Sequence, residues 1–297
     1  MKCLTGAYDN IMLEAKSVIT IGKFDALHAG HRRLISKTVE LASQNGLSSV
    51  LLSIVRSNPI GYLLSFDEKK EILSDTGLDY SMSYHLDDHF ASISAEWFIE
   101  EILQRRLKCQ SVVAGEDFRF GYERRGSVDT LKAAGISVNV IPTVKFDVLP
   151  SSSENIRRLV LGCAFDAAAT LLGYRYFVSG TVEQGNKLGR KIGFPTVNVL
   201  PQAEKLLPPD GVYLTRTITL NGEFKSITNI GKNPTVNGNS RKVETHLLDF
   251  DKELYSQQIK IEFFKKIRDE KKFDSINKLK SQIEEDIRKV SQCVNFI

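Results

Sequence analysis

"SVITIGKFDALHAGHRRLI", residues 17 to 35, decides how the first half of the chain is read. Ser17 to Gly22 form an apolar run that ends in glycine, the pattern of a fully buried strand. Beyond His31 the apolar residues return at helical spacing. Leu34, Ile35, Val39 and Leu41 fall mostly on one side, and Gly46 lies past the end. The alternation continues. "SSVLLSIV" reads as a strand, "FDEKKEILSDTG" as a helix, and "DHFASISAEWFIEEILQRRL" as another, capped by Ser94. "CQSVVAG", "VDTLKAAG" and "ISVNVIP" follow as strand, helix and strand. Such alternation predicts a parallel, doubly wound sheet covered by helices on both faces.

"SENIRRLVLG" and "AFDAAATLLG" read as two short helices that finish this domain. After Tyr174 the texture changes. Six short β-like runs appear, from "YFVSGTVEQG" to "QIKIEFFKKI", separated by turn signals such as "NGE" and "NGNS". They predict a small antiparallel barrel or sandwich. A last helix carries Ile276, Leu279, Ile283 and Ile287 on one face. A length of 297 residues suits two domains, placed at 1–175 and 176–297.

The net charge of +4 arises from 40 basic and 36 acidic residues, with no basic block. That disfavours a nucleic-acid partner and suits a phosphate-rich small molecule. Cys3, Cys109, Cys163 and Cys293 lack metal-ligand spacing and do not form a disulfide framework. With neither an apolar signal core nor a membrane-length apolar run, a cytoplasmic protein is expected.

Ligands of doubly wound sheets bind beyond the carboxyl ends of the strands. The loop bearing His28 and His31 is expected there. Gly22 would let the backbone turn, Gly30 would let a ligand approach, and His31 falls near a helix start that favours anions. Ordinary polar loop residues are the plainer reading, and a metal site lacks a third ligand nearby. A phosphate site explains the glycines, the helix start and the histidines together. Later, in "SSSENIRRL", Ser152 and Ser153 offer hydroxyls and Arg157 a guanidinium clamp. The alternative there is a helix capped by Ser153, with Arg157 solvated. In "AGEDFRFGYERRG", Asp117 and Phe118 suit a flat aromatic substrate, or an ordinary strand-end loop.

"GNKLGRKIGFPTVNV", residues 185 to 199, is a second constellation. Gly185, Gly189 and Gly193 suit a backbone bending around phosphates. Thr196 and Asn198 point the same way if they begin a strand, and their oxygens are hard donors that suit Mg²⁺. A glycine-rich hairpin with polar strand residues is the alternative.

His28-Ala29-Gly30-His31 matches the HxGH signature of the nucleotidyltransferases related to class I aminoacyl-tRNA synthetases. Residues 185 to 199 resemble the riboflavin kinase domain, whose glycine-rich run leads into a PTAN motif, here Pro195-Thr196-Val197-Asn198. "PPDGVYL", "NIGKNPTVNG", "VETHLLDFDKELY" and "KKIRDEKKFDSINKLKSQIEEDI" also match that domain in order. The domain order resembles the bacterial bifunctional riboflavin kinase/FAD synthetases over the whole chain.

The resemblance implies a Rossmann-like nucleotidyltransferase domain followed by a riboflavin kinase barrel with a C-terminal helix. It implies that riboflavin is phosphorylated by ATP to FMN, and that FMN is adenylylated by a second ATP to FAD. Mg²⁺ is the implied cofactor. Glu244 is the implied catalytic carboxylate, and Thr196 and Asn198 are the metal ligands. Gly185, Gly189, Arg190 and Gly193 fall to the kinase nucleotide. Gly22, Gly30, Ser152, Ser153 and Arg157 fall to the other nucleotide, with His28 and His31 at its phosphates. Arg268, beside Asp269 and Glu270 near the start of the last helical region, falls to flavin or phosphate, with a solvated cluster as the alternative.

The chain departs from the family at Lys23 and Ala26, in "SIVRSNP" (53–59), and in Ser152-Ser153-Glu154, where the family has SST. An acidic Glu154 is tolerable beside a triphosphate only if it faces away. A one-residue shift would use Ser151 to Ser153 instead. Three readings stand: the two-step enzyme, a kinase with a weakened first domain, and a flavin- or nucleotide-binding regulator. The oligomeric state stays open.

Overall fold

The computed structural model describes residues 1–6, 8–56, 61–146, 149–185, 189, 192–232 and 241–293. Arg190, Ser57 to Pro59, and residues 233 to 238 of the "NIGKNPTVNG" stretch lie outside them. The chain divides into two compact units, Met1–Asn155 and Ile156–Ile297.

The first unit holds a six-stranded sheet. Its strands are β1 (Lys2–Gly6), β2 (Ser17–Gly22), β3 (Ser48–Arg56), β4 (Tyr80–Leu86), β5 (Cys109–Gly115) and β6 (Ser137–Ile141). They pair in the order β1-β4-β3-β2-β5-β6, every pair parallel. The sequence reading lacks β1 and β4. In "YSMSYHL" the serines break the apolar run, yet Met82 and Tyr84 are wholly buried. β1 is an edge strand with mostly exposed residues.

Helices α1 (Ala29–Asn45), α2 (Phe66–Ser74), α3 (Asp88–Ala91), α4 (Ala95–Trp97) and α5 (Val128–Ala133) connect the strands. Gly46 ends α1 in the left-handed conformation, and Ser94 caps α4 through the Trp97 N–H. After α4 the helix widens to π geometry over Phe98–Arg106, where Arg106 pairs with Glu101 five residues earlier. On one face of the sheet Ile19, Ile21, Val50 and Val112 pack with Phe98 and Ile102; on the other, Val18 and Val113 pack with Ala42 of α1. β2 is flanked by β3 on one side and β5 on the other, so the loops leaving β2 and β5 part company at a topological switch point. A two-stranded hairpin of β7 (Lys145–Phe146) and β8 (Leu149–Pro150) precedes the next helix.

The boundary between the units falls inside α6 (Ser153–Leu161). In the second unit α7 (Phe165–Leu172) places Phe165 edge-on to Tyr213. Then β9 (Phe177–Glu183), β10 (Val197–Pro201), β11 (Gly211–Thr219), β12 (Gly222–Lys232), β13 (Arg241–Leu247) and β14 (Gln258–Arg268) close a barrel, paired antiparallel in the order β10-β13-β12-β11-β14-β9. All six predicted runs are strands.

The barrel interior carries a chain of buried hydroxyls. Thr215 bonds Ser226 and Thr228, Ser226 bonds Thr217, and Thr228 donates to Thr245. Each hydroxyl can donate and accept, so the chain of bonds runs from Thr217 to Thr245, which also donates to the Ile227 carbonyl at 3.4 Å. Strand alternation sends the intervening residues outward. There α8 (Ile276–Ser291), capped by Ser275, packs Val290 beside Leu214 and Ile227. Leu279, Ile283 and Ile287 are half-buried, whereas Ile276 in the first turn is exposed. No helix among the described residues is long and apolar enough to cross a membrane.

Candidate functional site

The loop after β2 is tightly wound. Its left-handed residues are Phe24 (φ 44°) and Leu27 (φ 43°), both fully buried. Non-glycine residues rarely hold this conformation unless their surroundings enforce it, and such strain collects at functional sites. Gly22 therefore does not make the turn. A Cβ on Gly22 would approach the Phe24 ring to 3.3 Å, so the glycine makes room for that ring.

His28 is the N-cap of α1, and its Nδ1 accepts from the His31 N–H at 3.4 Å. A nitrogen that accepts carries no proton, so Nε2 holds it. The two imidazoles stack at 3.7 Å, and Phe24 lies 4.8 Å from the His31 ring. A Cβ on Gly30 would sit 3.1 Å from the His28 ring and 3.9 Å from the Ser151 carbonyl. Gly30 thus makes room for the His28 ring, and the late serine segment lies in ordinary contact beside it. Burial, helped by the Arg32 charge, lowers His28 to about 4. Burial first, then the His28 and Lys69 charges, hold His31 well below its usual 6.5. Both are neutral near pH 7. His31 Nδ1 is buried with no hydrogen-bond partner among the described residues.

Lys69 of α2, unremarked in the sequence, is 8% exposed and donates to Ser53 Oγ at 2.6 Å. Ser53 pairs with Gly22 in the β2–β3 register, which puts the ammonium at the carboxyl ends of those strands. Burial lowers Lys69 to about 8, against the pull of the Asp25 carboxylate.

Ser152, not Ser153, caps α6, accepting from the Asn155 N–H at 3.3 Å. Ser153 opens the helix, and Glu154 in its first turn is exposed. Arg157 is half-buried on α6 in the second unit. Past β5, Asp117 is exposed and Phe118 stacks on Phe120 at 5.4 Å.

The second unit gathers its polar residues on the outer barrel face. Asn198 of β10 stands opposite Glu244 of β13, and Glu244 opposite Asn229 of β12. One step along the same face lie Thr196, which precedes β10, and His246, which faces Ile227. A cleft of about 330 Å³ opens over these rows, lined by Thr196, Asn229, Glu244 and His246 on the barrel and by Leu279 and Ile283 of α8. Burial, reinforced by the Glu270 carboxylate and opposed by Lys242, raises the Glu244 pKa. A second hollow of about 230 Å³ lies between Pro195–Val197 and Phe250–Tyr255. Thr196 lines both.

Two glycines of the run pack against the segment that carries the proposed metal donors. A Cβ on Gly185 would overlap the Asn198 side-chain amide, and one on Gly189 would overlap the Phe194 carbonyl oxygen and come to 3.2 Å from Thr196 Oγ1. Gly193 has a φ of 92°, which favours glycine. Neutral oxygens in a cradle without side chains fit a Mg²⁺ ion that keeps most of its own waters. Arg268 is the last residue of β14, a few residues ahead of α8. Its Nε lies 2.9 Å from Asp286 of α8, and both line the larger cleft. Asp269 is exposed and pairs with Lys266, while Glu270 joins the cleft wall.

Residues 11–155 match the FAD synthetase family and residues 172–294 the riboflavin kinase family. A curated bifunctional riboflavin kinase/FMN adenylyltransferase of Buchnera aphidicola is 33% identical over the full length of both chains. The chain belongs to this bifunctional family. The protein of the same name from Escherichia coli K12 is 34% identical over 91% of this chain and 90% of its own. A solved chain described as a macrolide-efflux protein from Streptococcus pneumoniae superposes with a TM-score of 0.87 at 26% identity, covering 98% of this chain and 99% of that one.

Sequence reasoning passed over His246, Asn229, Lys69 and Ser53. His246 was within reach, because it follows Glu244 by two positions on a strand and so shares its face.

Proposed function

We propose that the chain makes FAD in two steps, as a cytoplasmic enzyme with an adenylyltransferase domain over 1–175 and a kinase domain over 176–297. The observation that carries this reading is Glu244, a carboxylate of raised pKa in a cleft, opposite Asn198 across one ladder.

In the kinase step the apolar wall formed by Val212, Ile227, Phe273, Leu279 and Ile283 suits the flat flavin ring. The smaller hollow suits adenosine, and the phosphates cross at Thr196, which both spaces share. Glu244 accepts the proton of the riboflavin primary alcohol as its oxygen bonds the γ-phosphorus and the bond to ADP breaks. A raised pKa makes Glu244 a stronger base than an ordinary carboxylate. Thr196 and Asn198 would hold Mg²⁺, which when bound neutralises charge on the β- and γ-phosphates. Gly185, Gly189, Arg190 and Gly193 would border the nucleotide, and Arg268 would orient the flavin.

In the adenylyl step an FMN phosphate oxygen attacks the α-phosphorus of ATP, and pyrophosphate leaves. His28 and His31 contribute as neutral hydrogen-bond donors, His28 through Nε2, to oxygens that gain charge in the transition state. Gly22 and Gly30 shape the loop, and Ser152 and Ser153 would meet the departing phosphates. Asp117 and Phe118 would meet the flavin of FMN.

Labelled ATP tests the reading. Label at the γ-position should enter FMN and persist in FAD, whereas label at the α-position should enter FAD alone. Absence of γ-label from FMN contradicts the first step, and absence of α-label from FAD the second.

A further inference from the structure

His246 is exposed enough to line the larger cleft, yet one of its ring nitrogens is committed. Nδ1 lies 2.7 Å from the carbonyl oxygen of Pro195. A carbonyl can only accept, so Nδ1 carries the proton and donates it. The ring also meets Phe194 edge-on at 5.9 Å. His246 therefore grips two consecutive residues of the segment that ends in Thr196.

That grip begins where the ladder ends. β10 pairs with β13 through Val197–Thr245, Asn198–Glu244 and Val199–Val243, and the register stops at Val197. Thr196 is exposed, outside the strand, and borders both hollows. Without a further tie among the described residues, its hydroxyl would be held in place only by the chain on either side. The side chain of His246 supplies the tie from the same strand that presents Glu244.

We propose that His246 is a positioning residue: its Nδ1–H clamps the Pro195 carbonyl and so holds Thr196 Oγ1 where a divalent cation and the transferring phosphate require it. This rests on the kinase reading of the same cleft. A ligand's orienting partner commonly matters nearly as much as the ligand, since loss of the fixed geometry must be made good with each turnover.

Three variants separate the hydrogen bond from the ring. His246→Asn keeps a donor at the δ position, His246→Phe keeps the ring without a donor, and His246→Ala keeps neither. The first readout is hydrogen–deuterium exchange of the full ligand-free chain. The Ala and Phe variants should exchange faster at Thr196, Val197 and Asn198, and the Asn variant should match the parent.

The second readout is FMN formation against Mg²⁺ concentration. For Ala and Phe, half-saturation should rise about 10- to 100-fold with the riboflavin KM nearly unchanged, and Asn should restore it. The clamp is contradicted by unchanged exchange and Mg²⁺ response in the Ala variant, by rescue with Phe, or by failure of Asn. A parent that forms no FMN, with the exchange pattern as expected, would overturn the kinase reading and leave the clamp standing.

Discussion

Asn198 and Glu244 are direct partners across the ladder between β10 and β13, so an amide oxygen and a carboxylate leave one barrel face side by side. The pairing ties the proposed metal ligand to the proposed base through backbone hydrogen bonds, not through a mobile loop. Glu244→Gln keeps the shape and removes the base. FMN formation should fall about 10²- to 10⁴-fold while ADP binding persists. In the parent, the acid limb of the rate profile should lie above 4.5, the ordinary value for this side chain, because burial and Glu270 raise it. A limb at or below 4.5 would show that another group accepts the proton.

Gly185 offers a test of the cradle. Its backbone is not left-handed, so alanine is sterically allowed there except for the Asn198 amide in its path. Gly185→Ala should raise the Mg²⁺ requirement of FMN formation about tenfold or more, with adenylylation of supplied FMN unchanged. Combined with Asn198→Ala, the two losses should not add, because both act on one side chain. Additive losses would separate the glycine from the metal site.

The histidines make a prediction about pH. A pair acting as cations would show a titration near 6.5 in FAD formation from FMN. With His28 at about 4 and His31 also depressed, the histidine contribution should be flat between pH 6 and 8, and an ordinary titration near 6.5 assigned to either would contradict the neutral reading. Stability should follow the same groups. Their folded values lie below the unfolded 6.5, so the unfolded chain binds protons first. The first unit should therefore lose stability as pH falls from 6.5 toward 4, as a falling thermal midpoint would record.

Arg268 and Asp286 form an ion pair between β14 and α8 with side chains 14% and 2% exposed. Removing one partner strands the other. Asp286→Ala should destabilise the second unit by about 3–5 kcal/mol and raise the riboflavin KM, because the cleft wall loses its anchor. Replacing both with apolar residues should cost less stability than either single change, though flavin binding stays weak. Denaturant unfolding of the three variants measures this.

Much of this was legible before any coordinates. Strand, loop and helix around Gly22 and His28, and the six strands after Tyr174, follow from periodicity and turn residues. β4 was not, because alternating serines hide a strand whose large residues are buried by tertiary packing. The role of Gly22 was also misread: the strained residues are Phe24 and Leu27, whose conformations depend on burial that no local pattern shows. The sequence places Arg268 near the start of the last helical region, just past the strand-like "QIKIEFFKKI", with flavin, phosphate or a solvated charge cluster as its surroundings. In the structure it ends β14 and reaches a helix eighteen residues further on. His246 was visible as a neighbour of Glu244 on one face. Its partner, a backbone carbonyl 51 residues away, was not.

The central claim is that one chain carries two successive and separable active sites. Its most direct test is chromatography of the flavins formed from riboflavin, ATP and Mg²⁺ by the parent, by Glu244→Gln and by the His28→Ala/His31→Ala pair. The account predicts FAD from the parent, and FMN without FAD from the histidine variant. It predicts both products reduced about 10²- to 10⁴-fold from Glu244→Gln, which should still make FAD as the parent does when FMN is supplied. A parent that stops at FMN, even when FMN is supplied directly, would contradict the claim and leave a riboflavin kinase attached to an inactive nucleotidyltransferase fold.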